Sequence, residues 1–227
     1  MGFMDKLPFS VYDFFGYLAS GFLVLVGAEF AFNGKWLLRK DLNIPQGIFW
    51  VVAAYIAGHI IANISGFLLE GQIVRKVLRS PEESLFQDEK RKFWCWIFPG
   101  FYSALPKETR DRILLKSEAR AGIKSCGRGL FFHCHPIVKR DVNTLARLNT
   151  FLNLYGFCRN VSMASIITVV ILVIGVFVDW RAGLPFQLVK IWWAGTAALS
   201  ALGMFYRYLK FFRQYTLEVF MTYAETD

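Results

Sequence analysis

Arg112, Lys116, Arg120, Lys124 and Arg128 recur every four residues. Cationic side chains in such a row can hold phosphate, Arg through a planar fork of donors and Lys as a point charge. A four-residue step overshoots one helical turn, so the row slants round a helix. Gly122 and Gly127 break that helix, which leaves Arg112, Lys116 and Arg120 as one continuous ridge. Lys139 and Arg140 extend the charge further along the chain. The row reads either as an anion site or as a solvated face in which Glu108 pairs with Arg112. Phe131 and Phe132 stand close by; aromatics there stack on bases or, more simply, pack into a core.

His133, Cys134 and His135 form the densest group of metal-ligating types. On a strand, His133 and His135 would share a face. Zinc needs two further ligands, and no standard spacing supplies them, so no metal and no cofactor is expected and the histidines pack or face phosphate. The chain has no Walker A loop, GxGxxG, HExxH or GxSxG, and it is not expected to be an enzyme. Arg128 and His133 have the R-x4-H spacing of HEPN ribonucleases, in which an Arg and a His on one helix act on RNA. That resemblance implies a membrane-tethered nuclease as an alternative. Gly129 departs from the polar residue usual there, and Gly127 and Gly129 argue against a sturdy helix. Cys95, Cys126, Cys134 and Cys158 make no CxxC pair and read as reduced thiols.

A second group lies among apolar residues. Glu29, His59 and Asn63 are polar at membrane depth, where such groups face a bundle interior or a water-filled path. They read as pore-lining residues, or as a structural pair of Glu29 with His59. Ala54, Gly58, Ala62 and Gly66 step by four, a small-xxx-small row that admits a close helix. It serves packing within one subunit or contact between subunits. The hydroxyls of Ser162, Ser165 and Thr168 add little, because they can bond their own helix.

The elements that carry these groups follow from the distribution of apolar residues. The chain has 227 residues, 55% of them hydrophobic, in four blocks. The blocks run roughly from Val11 to Phe32, Ile48 to Leu69, Val161 to Val178 and Ile191 to Tyr208, each close to the ~20 residues that cross a bilayer as helix. Ser10 to Asp13 is a capping-box pattern for the first. Lys6 is the only early basic residue, so the N-terminus does not read as a signal peptide. Between Glu70 and Arg159 there are 17 Lys and Arg against 9 Asp and Glu, nearly all of the chain's net +9. Four spans put this stretch and both termini on one side. The positive-inside rule makes that side the cytoplasm, with Arg75, Lys76, Arg79, Arg147 and Arg159 weighing most. The opposite loops carry Lys35, Arg39, Lys40, Arg181 and Lys190, with Trp36, Trp50, Trp180, Trp192 and Trp193 as an aromatic belt.

The expected fold is therefore an all-α integral membrane protein. It has transmembrane helices 1 and 2 within residues 1–69 and a mainly helical, basic cytoplasmic domain over 70–159. Transmembrane helices 3 and 4 occupy 160–208, and a cytoplasmic tail 209–227. Ser80-Pro81-Glu82-Glu83 combines a capping box with an N-terminal Pro. Pro106 opens a helix ending near Gly122. The apolar spacing from Asp141 to Arg159 predicts a helix running into the third span. The run FWCWIFPGFY from Phe93 is too short to span and reads as core or as an interfacial element, with Arg91 and Lys92 beside headgroups.

This layout, with the phrases YDFFGYLASG and AGHIIANISGFLLE, resembles the channel-forming effectors of the Hailong anti-phage defence system. The resemblance implies a homo-oligomeric channel, a tetramer, in a bacterial inner membrane. Its cytoplasmic part would bind single-stranded DNA oligomers made by a partner nucleotidyltransferase, and losing that ligand would open the pore and depolarise the cell. Related systems use cyclic nucleotides to open the effector. The competing reading is a membrane scaffold whose basic domain binds anionic lipid or a protein.

Overall fold

The computed structural model describes residues 11–39, 43–87, 92–124, 126–185 and 187–226. The capping box at Ser10, and Lys6, Lys40, Arg91 and the side chain of Lys92, lie outside the described residues. Helices make up 82% of the chain and no strand occurs among the described residues, so the fold is all-α. The helices are α1 (Val11–Ala31), α2 (Ile44–Ser65), a π-helical continuation (Gly66–Leu78), α3 (Pro81–Ser84), α4 (Lys92–Ile97), α5 (Lys107–Ala121), α6 (Arg128–Val138), α7 (Val142–Arg181) and α8 (Leu188–Glu225). Four of them, α1, α2, α7 and α8, are long and apolar enough to cross a membrane, and the chain is a multi-pass membrane protein.

The chain divides into two compact units. One comprises residues 1–69 and 156–205, the other 70–155 and 206–227. Each of α7 and α8 contributes to both.

In the first unit, α1 and α2 pack antiparallel at almost backbone contact. A Cβ on Gly21 would overlap the Ala54 carbonyl, and one on Gly58 would overlap the Tyr17 carbonyl. Two members of the small-residue row, Ala54 and Gly58, are thus spent on α1. Gly66 lies 3.8 Å from Arg159 of α7 by the same measure. α7 runs parallel to α1, with Thr168 against Gly27 and its hydroxyl 3.4 Å from the Leu23 carbonyl. α8 returns antiparallel, its Ala201 carbonyl accepting from Ser162 at 2.9 Å. Ile48, Phe49, Val52, Ile56 and Ile60 of α2 are exposed, an apolar stripe suited to lipid. α2 starts four residues earlier than the hydropathy implies. Asn43 caps it, accepting from Gln46 N–H at 3.0 Å while the Gln46 amide oxygen accepts from Asn43 N–H.

In the second unit a core gathers Ile113 of α5, Leu130 and Cys134 of α6, Leu148 of α7, and Val219 and Phe220 of α8. Two expectations are corrected here. Residues 209–225 are not a tail: they are the last turns of α8, because Phe212, Thr216, Val219, Phe220 and Tyr223 recur on one helical face and all are buried. The Ser80 segment yields only the four-residue α3, and the Ser80 side chain makes no capping bond. α5 ends where expected, at Gly122, which adopts φ +67° and caps the helix with its N–H.

Candidate functional site

The antiparallel register of α1 and α2 sets Tyr17 beside Gly58 and stacks its ring on His59, with centroids 4.1 Å apart. Glu29 is twelve residues further along α1, about 18 Å in axial distance. The expected Glu29–His59 pair therefore does not form. Glu29 is 4% exposed, and its carboxylate accepts from the backbone N–H groups of Trp36, Leu37 and Leu38, each at 3.1 Å. It is the anchor of the turn after α1, a carboxylate in a nest of amides. His59 is half-buried between Tyr17 and Tyr55. Asn63 is different. It stands seven residues beyond Ile56, on the same exposed face of α2, with Ile60 and Phe67 around it.

The basic residues of the second unit separate into two faces of α5. Lys107, Arg110, Asp111 and Leu114 have the i, i+3, i+4, i+7 spacing of one face. With Phe86, Lys124 and Cys126 they line an open cavity of about 440 Å³. Arg110 donates to the Phe86 carbonyl at 2.9 Å, which fixes its guanidinium at the wall. Lys124 pairs with Glu118 at 3.0 Å while remaining exposed. Among the described residues, these three cations face Asp111 of the lining and Glu118 paired with Lys124, a net positive balance that suits a phosphate-bearing ligand.

The ridge read from the four-residue step points elsewhere. Lys116 is nine residues from Lys107, hence on the opposite side of α5. Its ammonium donates to the Tyr223 carbonyl at 2.9 Å and lies over the Tyr223 ring, so it fastens α5 to α8. Arg112 and Arg120 flank it and are exposed. Lys139 and Arg140 are exposed at the end of α6. Of the basic residues singled out in the sequence, only Lys124 belongs to the cavity; Lys107 and Arg110 were missed, because the fold has to bring Phe86 and Cys126 to them before they form a site.

His133, Cys134 and His135 lie on α6, not on a strand, so the two histidines diverge by about 200°. His133 Nε2 is 3.3 Å from the Tyr223 hydroxyl and His135 Nε2 is 2.8 Å from that of Tyr215. Cys134 is fully buried, which pushes its thiol up to about 12 and makes it a poor nucleophile. α6 forms despite Gly127 and Gly129, yet Arg128 and His133 point about 140° apart on it. Arg128 lies over the exposed Phe132 ring, whereas Phe131 is packed in the core.

Burial, and secondarily Lys139, lowers the His135 pKa from its ordinary 6.5. The unfolded chain then binds this proton more readily than the folded one, so stability falls as pH drops from 6.5 toward the lowered value. Thermal unfolding between about pH 5 and pH 7 is expected to show this slope. His135→Phe, which preserves the stacking on Phe131, is expected to lose most of it; an unaltered slope would assign it to another group.

Sequence reasoning also missed a buried ion pair in the first unit. Asp179, near the end of α7, meets Lys190, at the start of α8, at 2.6 Å. The Lys190 ammonium donates in addition to the Ala31 carbonyl of α1 at 2.7 Å. Lys190 had read as a loop charge; its side chain is 1% exposed. The eleven-residue separation across a Gly-Leu-Pro turn was the available signal. No protein-family model, curated protein or solved structure matches the chain.

Proposed function

We propose that the chain is a homo-oligomeric, ligand-gated membrane pore of the anti-phage effector type. In this reading it is a tetramer in a bacterial inner membrane, with both termini and the second unit in the cytoplasm. That unit binds a nucleotide or a single-stranded DNA oligomer made by a partner nucleotidyltransferase, and the ligand sets whether the pore is open. The observation that supports it best is the positive cavity formed by Lys107, Arg110 and Lys124 on a chain with four apolar spans. Asn63 supports the oligomer: an exposed amide among exposed Ile and Phe side chains is costly in lipid, and a second copy or a water-filled path relieves it. His59 and Asn63 are then the pathway residues, and Glu29 holds the turn at the end of α1.

Proteoliposomes containing the chain are expected to pass ions in a manner that a short oligothymidylate or a nucleotide changes. Absence of flux under every ligand condition would sink the pore. Binding itself is tested by fluorescence anisotropy with labelled oligothymidylate. Lys107→Gln with Lys124→Gln is expected to weaken binding about tenfold and to reduce the salt slope by ~0.7 per lost phosphate contact. Arg112→Gln with Arg120→Gln, on the far face, is expected to change affinity much less. The reverse ranking would move the ligand to the ridge.

A further inference from the structure

α8 changes character at Tyr206. Ala201, Leu202 and Phe205 precede it; Arg207, Lys210 and Arg213 follow within seven residues. A helix leaving hydrocarbon for headgroups shows this step, and basic pockets at that level take lipid phosphates. Within the second unit, these turns of α8 and the segment after α4 enclose a cavity of about 340 Å³, lined by Phe98, Phe101, Tyr206, Lys210, Arg213 and neighbours that include no carboxylate among the described residues.

One wall is aromatic. The Phe98 ring lies 6.1 Å from that of Tyr206 and stacks at 6.4 Å on Trp94. The other is cationic. Lys210 is exposed and makes no ion pair among the described residues. Arg213 donates through one terminal nitrogen to the Ser103 carbonyl at 2.7 Å, while its Nε is buried without a hydrogen-bond partner among the described residues. A buried donor of that kind calls for an acceptor. Beside the cavity, α4 holds Phe93 and Trp96 63% and 80% exposed. Its six residues cannot span, and large exposed aromatics on so short a helix suit the boundary between headgroups and acyl chains.

We infer that this cavity binds the phosphate of an anionic phospholipid, with Lys210 and Arg213 on the headgroup and Phe93 and Trp96 among the acyl chains. The complementarity is to an anion, and the exposed aromatics select a lipid over a soluble phosphate. This assignment is independent of the pore reading and of the Lys107 cavity.

Native mass spectrometry of the full chain, released from micelles doped with phosphatidylglycerol or phosphatidylcholine, tests it. Phosphatidylglycerol is expected to be retained preferentially. Lys210→Gln is expected to cut that retention about fivefold, the contribution of one basic side chain at an anionic surface, at unchanged melting temperature. Lys210→Arg is expected to restore it, and Trp96→Ser to reduce retention of both lipids. Arg213→Gln also removes the Ser103 contact, so Lys210 is the decisive position. Equal retention of the two lipids, or full retention in Lys210→Gln, would overturn the assignment. So would displacement of phosphatidylglycerol by an equal concentration of glycerol phosphate, which would make this a site for free phosphate.

Discussion

Lys190→Met is expected to unfold the membrane unit far below the wild-type transition. Lys190 and Asp179 are buried together at 2.6 Å, and the ammonium also holds the Ala31 carbonyl. Among the described residues, removing the cation leaves the Asp179 carboxylate with the 3.4 Å bond from the Asn33 amide alone. An uncompensated buried charge costs roughly 3–5 kcal/mol, a large fraction of the stability of most domains. Asp179→Asn is expected to cost less, because the amide oxygen still accepts from Lys190, although the ammonium then lacks a counter-charge. Asp179→Leu combined with Lys190→Met removes both charges and is expected to recover much of the loss. Unfolding followed by size exclusion after graded heating in detergent separates the three. If the double variant is no better than Lys190→Met, the charges are not what couples the two positions.

Gly21→Ala is the second large effect. A methyl group there overlaps the Ala54 carbonyl, and both atoms belong to helix backbones that cannot rotate away. The helices must separate, and every contact along their interface loosens. Overpacking typically costs 1–3 kcal/mol, and about the upper end applies where backbone opposes backbone. Gly58→Ala meets the Tyr17 carbonyl in the same way and also shifts the ring that stacks on His59. Gly195→Ala and Gly203→Ala are the controls. Beyond the helix's own turn, nothing among the described residues lies within 4 Å of either added methyl, and a helical Gly→Ala change there is expected to be neutral or to gain about 0.5–1 kcal/mol. Yield of monodisperse protein after extraction is the readout; parity between Gly21→Ala and the controls would contradict the close approach.

The four apolar helices and their approximate positions were legible because lipid demands long apolar runs, and composition records those runs directly. The junction of the third span with Val142–Arg181 was legible for the same reason: apolar spacing continues and only Gly156 interrupts it. Which polar groups meet was less legible, since that depends on register between helices. Glu29 and His59 read as a pair until Gly21 and Gly58 fixed the offset of α1 on α2. The basic cavity was hidden by a more conspicuous pattern. The four-residue row from Arg112 catches the eye, whereas Lys107 and Arg110 acquire meaning only with Phe86 and Cys126, brought in from other parts of the chain. The α8 segment after Tyr208 was misread because a boundary drawn from hydropathy ignores a helix that leaves the apolar stretch and supplies core residues to the second unit.

The Lys190 contacts bear on the order in which the chain matures. Ala31 and Lys190 are separated by 159 positions, and synthesis delivers the N-terminal partner first. Until α8 emerges, the Asp179 carboxylate waits near the end of a span without its cation, in surroundings that offer few substitutes. The contact therefore closes late in biogenesis. It marks a chain whose last helix has arrived, and a product truncated before α8 keeps an exposed acid that insertion chaperones and membrane proteases can recognise.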